Sequence, residues 1–293
     1  MHAGYTDLSL DHLIDAALRE DLGYGDITTN AIASPELRGR AEIISKESFV
    51  LSGLEVAVRV FRRLDPEVQI SVNYHDGSEV PGGAVICSLT GYVRGLLSAE
   101  RVALNFLQHL SGIATLTRRF VREIEEAFKE EGLSEITCWI LDTRKTTPLL
   151  RSLEKQAVRH GGGKNHRFGL CDGVLIKENH IVAAGGSVSE AIRRAKAATH
   201  HLVKIEVEVE SIEQLKEAIE AGADMVLLDN FELNELKKAV ALCKGVIPCE
   251  VSGGVNLSNV RLFAKVGADF ISTGAITHSA PAVDVSMKLR EVF

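Results

Sequence analysis

The sequence predicts an α/β chain whose C-terminal part is a parallel barrel of six strands, preceded by an α+β domain. Three observations carry that prediction. From about Trp139 onward a short apolar run, a polar or glycine-rich loop and a stretch of 3.6-residue periodicity recur every 20 to 35 residues or so, which is the rhythm of βα units. Two of those units, Ala221 to Asp229 and Val266 to Gly274, share a Gly-Ala-Asp in which glycine can end a helix in the left-handed region before the next strand begins. The residue just past each apolar run is polar or glycine, and in parallel barrels that edge carries the chemistry.

In the first domain a short helix is expected near Leu8 to Arg19, then a strand over Arg40 to Leu51, a helix over Leu54 to Leu64, and strands over Val68 to Tyr74 and Val85 to Thr90. Asp76-Gly77 and Pro81-Gly82-Gly83 mark turns. Ser98 to Lys129 reads as long helical sequence interrupted near Ser111-Gly112. The barrel strands are expected at Trp139 to Leu141, Val174 to Ile176, Ile205 to Val209, Met225 to Leu228, Val246 to Val251 and Phe270 to Ile271. Helices fit Leu149 to His160, Ser187 to Thr199, Ser211 to Ala221, Glu232 to Leu242 and Ser258 to Val266, with Ser187 and Ser211 as N-caps. The expected domains are 1–115, 116–283 and a final segment 284–293 that returns to the first.

Composition narrows the function. The chain has 293 residues, 45% hydrophobic and 25% charged, which suits a globular protein with a sizeable core. A net charge of −7 argues against nucleic acid or an anionic membrane as partner, so local basic clusters must serve something small. Five scattered cysteines without a C-x-x-C pair suggest neither zinc nor a disulfide framework, and reduced thiols fit the cytoplasm. Met1 to Asp7 lacks the pattern of a leader, and no apolar run approaches a membrane span.

The cations cluster. Arg144 and Lys145 follow the first barrel strand within Ile140 to Pro148; Gly161-Gly-Gly163 leads into Lys164-Asn-His-Arg167; Lys177 ends the second strand. Arginine matches a carboxylate or phosphate with a rigid fork, and lysine adds a point charge. Asp142 could equally be a partner of Arg144. Glu206, Glu208 and Glu210 alternate along one strand and are expected on one face, with Glu208 and Asp229 the natural carboxylate pair of the site. Ser252-Gly253-Gly254 and Thr273-Gly274-Ala275 end the last two strands, where barrels of this kind hold phosphate on loop N-H groups. A solvated loop, a flexible linker or a tight turn would explain each cluster separately; their concurrence favours a substrate with several negative charges.

These motifs, with Glu20 to Thr29, Ala99 to Asn105, Leu110 to Thr115 and Leu228 to Phe231, resemble the quinolinate phosphoribosyltransferase family over nearly the whole chain. The resemblance implies an N-terminal α+β sandwich, an incomplete six-stranded α/β barrel (the type II phosphoribosyltransferase fold), and a homodimer with shared active sites, further assembly being left open. It also implies the reaction: quinolinate and 5-phosphoribosyl 1-pyrophosphate give nicotinate mononucleotide, pyrophosphate and carbon dioxide, with Mg2+ required. Arg101 (from the other subunit), Arg144, His166, Arg167 and Lys177 would hold the two carboxylates of quinolinate. Lys145 would face the pyrophosphate or a substrate carboxylate, and Lys145 or Lys177 would assist decarboxylation. Glu208 and Asp229 would face the ribose and the magnesium, through substrate or water, while Ser252, Gly253, Gly254 and Gly274 would cradle the 5'-phosphate. One departure stands out: Leu149 occupies the place after Pro148 where the family usually has glycine.

Three rivals are weighed against this: a transferase of the same fold acting on nicotinate or another base, an aldolase-like barrel using Lys177 as a Schiff-base lysine, and a non-catalytic binder of phosphorylated ligands.

Overall fold

Residues 5 to 293 are described by the computed structural model, so Met1 to Gly4, on which the reading of the N-terminus partly rests, lie outside the described residues. The chain forms two compact units. One comprises residues up to Leu116 with Arg159–Gly161 and Ala280–Phe293; the other comprises Thr117–Val158 and Gly162–Ser279.

The first unit opens with α1 (Tyr5–Leu22) and α2 (Ile27–Ile32), the latter capped by Asp26, whose carboxylate accepts from the Thr29 amide at 2.9 Å. Then come β1 (Arg38–Ser45), β2 (Phe49–Val50), α3 (Leu54–Leu64), β3 (Gln69–Val72), β4 (Glu79–Val80), β5 (Val85–Tyr92) and α4 (Val93–Glu130). The expected strand from Arg40 to Leu51 is two, because residues 46–48 turn between them. The expected break at Ser111-Gly112 does not occur: α4 runs through unbroken. Both residues serve packing instead. The buried Ser111 hydroxyl donates to the Ser52 carbonyl and accepts from its amide, each at 3.0 Å. Gly112 lets another chain segment approach, since a Cβ there would lie 2.2 Å from the Pro281 carbonyl oxygen.

The second unit alternates β6 (Trp139–Leu141), α5 (Arg151–His160), β7 (Val174–Ile176), α6 (Glu178–Ala183), α7 (Val188–Ala198), β8 (Ile205–Val209), α8 (Ile212–Glu220), β9 (Met225–Asp229), α9 (Leu233–Cys243), β10 (Cys249–Ser252), α10 (Val260–Val266), β11 (Phe270–Ser272) and α11 (Ala275–His278). Six parallel strands lie in the order β6-β11-β10-β9-β8-β7. The ladder is open between β6 and β7, where Lys164 bridges to Leu141 instead of a strand. Apolar side chains such as Ile140, Val207, Leu228, Val251 and Ile271 are buried, as expected for strands covered on both faces.

Ser187 and Ser211 cap α7 and α8, accepting from the amides of Glu190 and Gln214 at 3.2 Å. Val246-Ile247-Pro248 is not strand. Its amides turn back to the Cys243 carbonyl, and Pro248 has no N-H to give a ladder. The helix expected from Leu149 starts at Arg151, because Leu149 stands at φ 68° with its side chain exposed. That left-handed conformation is the one glycine adopts without strain, so Leu149 keeps the backbone path at a cost of roughly 1 to 2 kcal/mol. The last strand, β12 (Val285–Val292), pairs antiparallel with β1 and completes a sheet in the order β12-β1-β5-β3 in the first unit.

Candidate active site

The C-terminal ends of β6 to β11 open on a cavity of about 770 Å³. Its lining includes Arg144, Lys145, His166, Arg167, Lys177, Glu208, Asp229, Ser252, Gly253, Gly254 and Gly274. Among the predicted site residues only Arg101, exposed on α4, is outside that lining.

Each side chain reaches the cavity through its strand. Lys177 directly follows β7 and its Nζ lies 2.5 Å from Glu208 Oε2 on β8. Asp229 ends β9, and burial followed by the negative charge of Glu208 pushes its carboxyl pKa up, so the two carboxylates are close enough to repel. Asn230, which the sequence reading did not single out, donates to Asp229 at 2.7 Å and takes φ 55°. Asparagine tolerates that conformation, which was the available signal. Gly253 stands at φ 98° with Asn230 pressed against it: a Cβ would fall 2.2 Å from Asn230 Oδ1. Gly274 gives way to the stem of Lys145, whose Cδ would lie 2.8 Å from a Cβ there.

The guanidinium pair comes from two loops. Arg167 is half-buried and donates to the Gly173 carbonyl at 2.8 Å; burial and the nearby charge of Arg144 both draw its pKa down. Two like charges that feel one another favour an anion beside them. Asp142 is not the partner of Arg144. It is fully buried and pairs with Lys155 on α5.

His166 has both ring nitrogens occupied, Nδ1 accepting from the Arg167 amide at 2.7 Å and Nε2 lying 2.9 Å from Glu206 Oε2. Glu250 Oε2 is 3.7 Å from the same Nε2. The three groups lie close enough to suggest a metal site, all ligand atoms being within 4.8 Å of one another. A ring whose Nδ1 accepts an amide carries its proton on Nε2, leaving no lone pair there for a metal. The cluster is therefore a hydrogen-bonded one. Burial works against the imidazolium, but the Glu206 hydrogen bond and the charges of Glu250 and Glu206 outweigh it, and the pKa is raised. Of the three glutamates expected on one face, Glu206 is buried in this cluster, Glu208 faces the cavity, and Glu210 lies beyond β8 and is exposed.

Glu250 itself is fully buried on β10 and finds no hydrogen-bond partner of ordinary geometry among the described residues. Burial, and then the charge of Glu206, push its pKa from 4.5 to about 8. Because the folded state holds the proton more tightly, the stability this group contributes is complete below pH 4.5 and is lost as pH rises through about 8. Glu250→Gln should match the parent near pH 4 and exceed it at pH 8.5 by about 4 kcal/mol, or a Tm roughly 10 °C higher. Thermal unfolding across that pH range checks this; superimposable profiles would show that Glu250 ionises normally.

Fold and site together define an α/β-barrel enzyme that handles polyanionic substrates at the carboxyl edge of its strands. Residues 26–111 match the N-terminal domain and residues 113–288 the C-terminal domain of quinolinate phosphoribosyl transferase, and the chain belongs to that family. A Bacillus subtilis relative named "Probable nicotinate-nucleotide pyrophosphorylase (carboxylating)" is 45% identical over 96% of this chain and 93% of its own. A Nicotiana glauca relative, "Quinolinate phosphoribosyltransferase (decarboxylating) 2, mitochondrial", is 36% identical over 96% of this chain and 82% of its own. The crystal structure of NadC from Streptococcus pyogenes matches with a TM-score of 0.91 at 41% identity over 99% of both chains. The nicotinate-nucleotide pyrophosphorylase of Francisella tularensis matches at 0.88 and 40% over 96% of each.

Proposed function

We propose that this protein converts quinolinate and 5-phosphoribosyl 1-pyrophosphate to nicotinate mononucleotide, pyrophosphate and carbon dioxide, a step of NAD biosynthesis. The observation that carries the reading is the convergence of Arg144, Lys145, Arg167 and Lys177 with the carboxylates of Glu208 and Asp229 around one cavity. The guanidinium pair suits two adjacent carboxylates on a flat ring. Gly253 and Gly254 stand at positive φ after β10, and with Ser252 and Gly274 they suit the 5'-phosphate.

As pyrophosphate leaves, positive charge develops on the sugar ring, and Glu208 and Asp229 stabilise it where it forms. Holding the pyridine nitrogen in line with the sugar carbon contributes up to about 7 to 11 kcal/mol. Once that nitrogen is quaternary, the adjacent carboxylate departs as carbon dioxide because the positive nitrogen stabilises the electron pair left on carbon, which then takes a proton from water to give the product. Lys145 and Lys177 stand where they can neutralise the leaving groups. The repelling pair Glu208 and Asp229 fits Mg2+, reached through substrate or water, which when bound neutralises pyrophosphate charge.

The family resemblance also supports a homodimer in which the partner's Arg101 completes each site. The five free cysteines and the absence, among the described residues, of a helix able to cross a membrane agree with the cytoplasm. A Schiff-base role for Lys177 is disfavoured by its ion pair with Glu208, which already engages the amine. The test is incubation with quinolinate, the phosphoribosyl donor and Mg2+, with and without a chelator, following nicotinate mononucleotide and carbon dioxide. Turnover of nicotinate but not quinolinate would overturn the assignment.

A further inference from the structure

Two cations on one face of α5, Lys155 and Arg151, are unused by the proposed chemistry, and hydrogen bonds to neighbouring loops converge on each, buried around Lys155 and more open around Arg151. Lys155 is 3% exposed and pairs with the fully buried Asp142, just past β6. Its ammonium also donates to the His166 carbonyl at 3.0 Å. Asp142 in turn accepts from the His166 amide at 2.9 Å and from Asn165 Nδ2 at 2.5 Å. One turn earlier on the same helix face, Arg151 repeats the arrangement. Its Nε donates to Thr146 Oγ1 at 3.0 Å, and its other nitrogens reach the Phe168 carbonyl at 3.2 Å and the Arg144 carbonyl at 3.4 Å. Each side chain thus touches both loops that bear the guanidinium pair, residues 142–146 and residues 165–168.

We infer that Arg151 and Lys155 are positioning residues which stitch these two loops together and so set the spacing of Arg144 and Arg167 for a vicinal diacid. The inference rests on the proposed reading of the substrate class. Its physical basis is that Arg144 and Arg167 repel one another, so an unbraced pair of loops would splay and lose the two-carboxylate fit while keeping the attraction for a single carboxylate. The ribose and phosphate end of the cavity is built mainly from β8 to β11; Lys145, the residue of the stitched loops that reaches it, has its stem against Gly274 and its carbonyl held separately by the Thr277 hydroxyl at 2.7 Å.

The experiment measures discrimination. Binding of quinolinate, phthalate and nicotinate is followed calorimetrically, beside KM for both substrates, in the parent, Arg151→Met, Arg151→Lys and the double variant Asp142→Asn with Lys155→Met. The double variant avoids stranding one charge of a buried pair. The expected result for Arg151→Met is a diacid preference over nicotinate reduced about tenfold, with KM for the phosphoribosyl donor within about twofold of the parent. Arg151→Lys should recover only part, because an ammonium cannot span the three acceptors. An unchanged diacid-to-monoacid ratio in folded Arg151→Met and in the double variant would overturn the inference, as would equal weakening of every ligand. A parent that binds diacids without turning them over would instead overturn the proposed reaction and leave the stitching intact.

Discussion

Arg144→Ala is expected to lower kcat/KM for quinolinate by about 100- to 1,000-fold while leaving the far-ultraviolet spectrum and Tm unchanged. A charge-assisted, two-point hydrogen bond to a carboxylate contributes on the order of 3 to 4 kcal/mol when it also orients the reacting atom, which is the size of that loss. The side chain is exposed in the cavity and has no ion-pair partner among the described residues, so its removal leaves no buried charge behind. Arg144→Lys should keep charge but lose the fork, and fall about tenfold below the parent. Steady-state rates with quinolinate varied at saturating donor distinguish these cases. Near-parental turnover of Arg144→Ala would remove the diacid clamp from the mechanism, and with it the reason for choosing quinolinate over a monocarboxylate.

The barrel was legible because parallel strands buried on both faces are short continuous apolar runs, and five of the six coincide with strands to within a residue. The exception is instructive. Val246 and Ile247 look like the start of a strand, but Pro248 cannot join the ladder, and the preceding turn is closed by the Cys243 carbonyl. Ser111-Gly112 misled for the opposite reason: glycine in a helix reads as a break unless one knows that Pro281 passes within contact of it, and that is tertiary information. The one-turn helices α6 and α11 carry too few residues for periodicity to register.

The rim of the site was legible because cations and glycines at strand ends have few other uses; its foundations were not. Lys155 and Asp142 lie thirteen residues apart, and neither advertises that it is buried. Sequence proximity offers Arg144 as one partner for Asp142, whereas the ion pair forms with a residue on the following helix. Glu250 sits inside Cys249–Ser252 as a single charge in an apolar run, and only the fold shows Glu206 and His166 facing it. Polar groups beneath a site are specified by three-dimensional neighbours, so sequence spacing carries little trace of them.

The proposed shared site has the larger consequence for assembly. Arg101→Ala and Lys177→Ala should each be nearly inactive alone, since in the proposed dimer the first would remove a cation contributed by the partner and the second one contributed by the subunit's own barrel. Mixed in equal amounts and allowed to exchange subunits, they should recover about a quarter of parental activity: half the dimers are hybrids, and one site of two in each hybrid is whole. The other site in the hybrid carries both changes and adds nothing. Recovery should require a step that dissociates the parent dimer, and its time course should follow subunit exchange rather than substrate binding. If activity fails to return although hybrids are detected by mass, Arg101 acts within its own chain or only on the fold, and each subunit works alone. Recovery close to a quarter would identify the partner's Arg101 as the remaining cation of a site whose other cations, Arg144, Lys145, Arg167 and Lys177, this chain already gathers around one cavity.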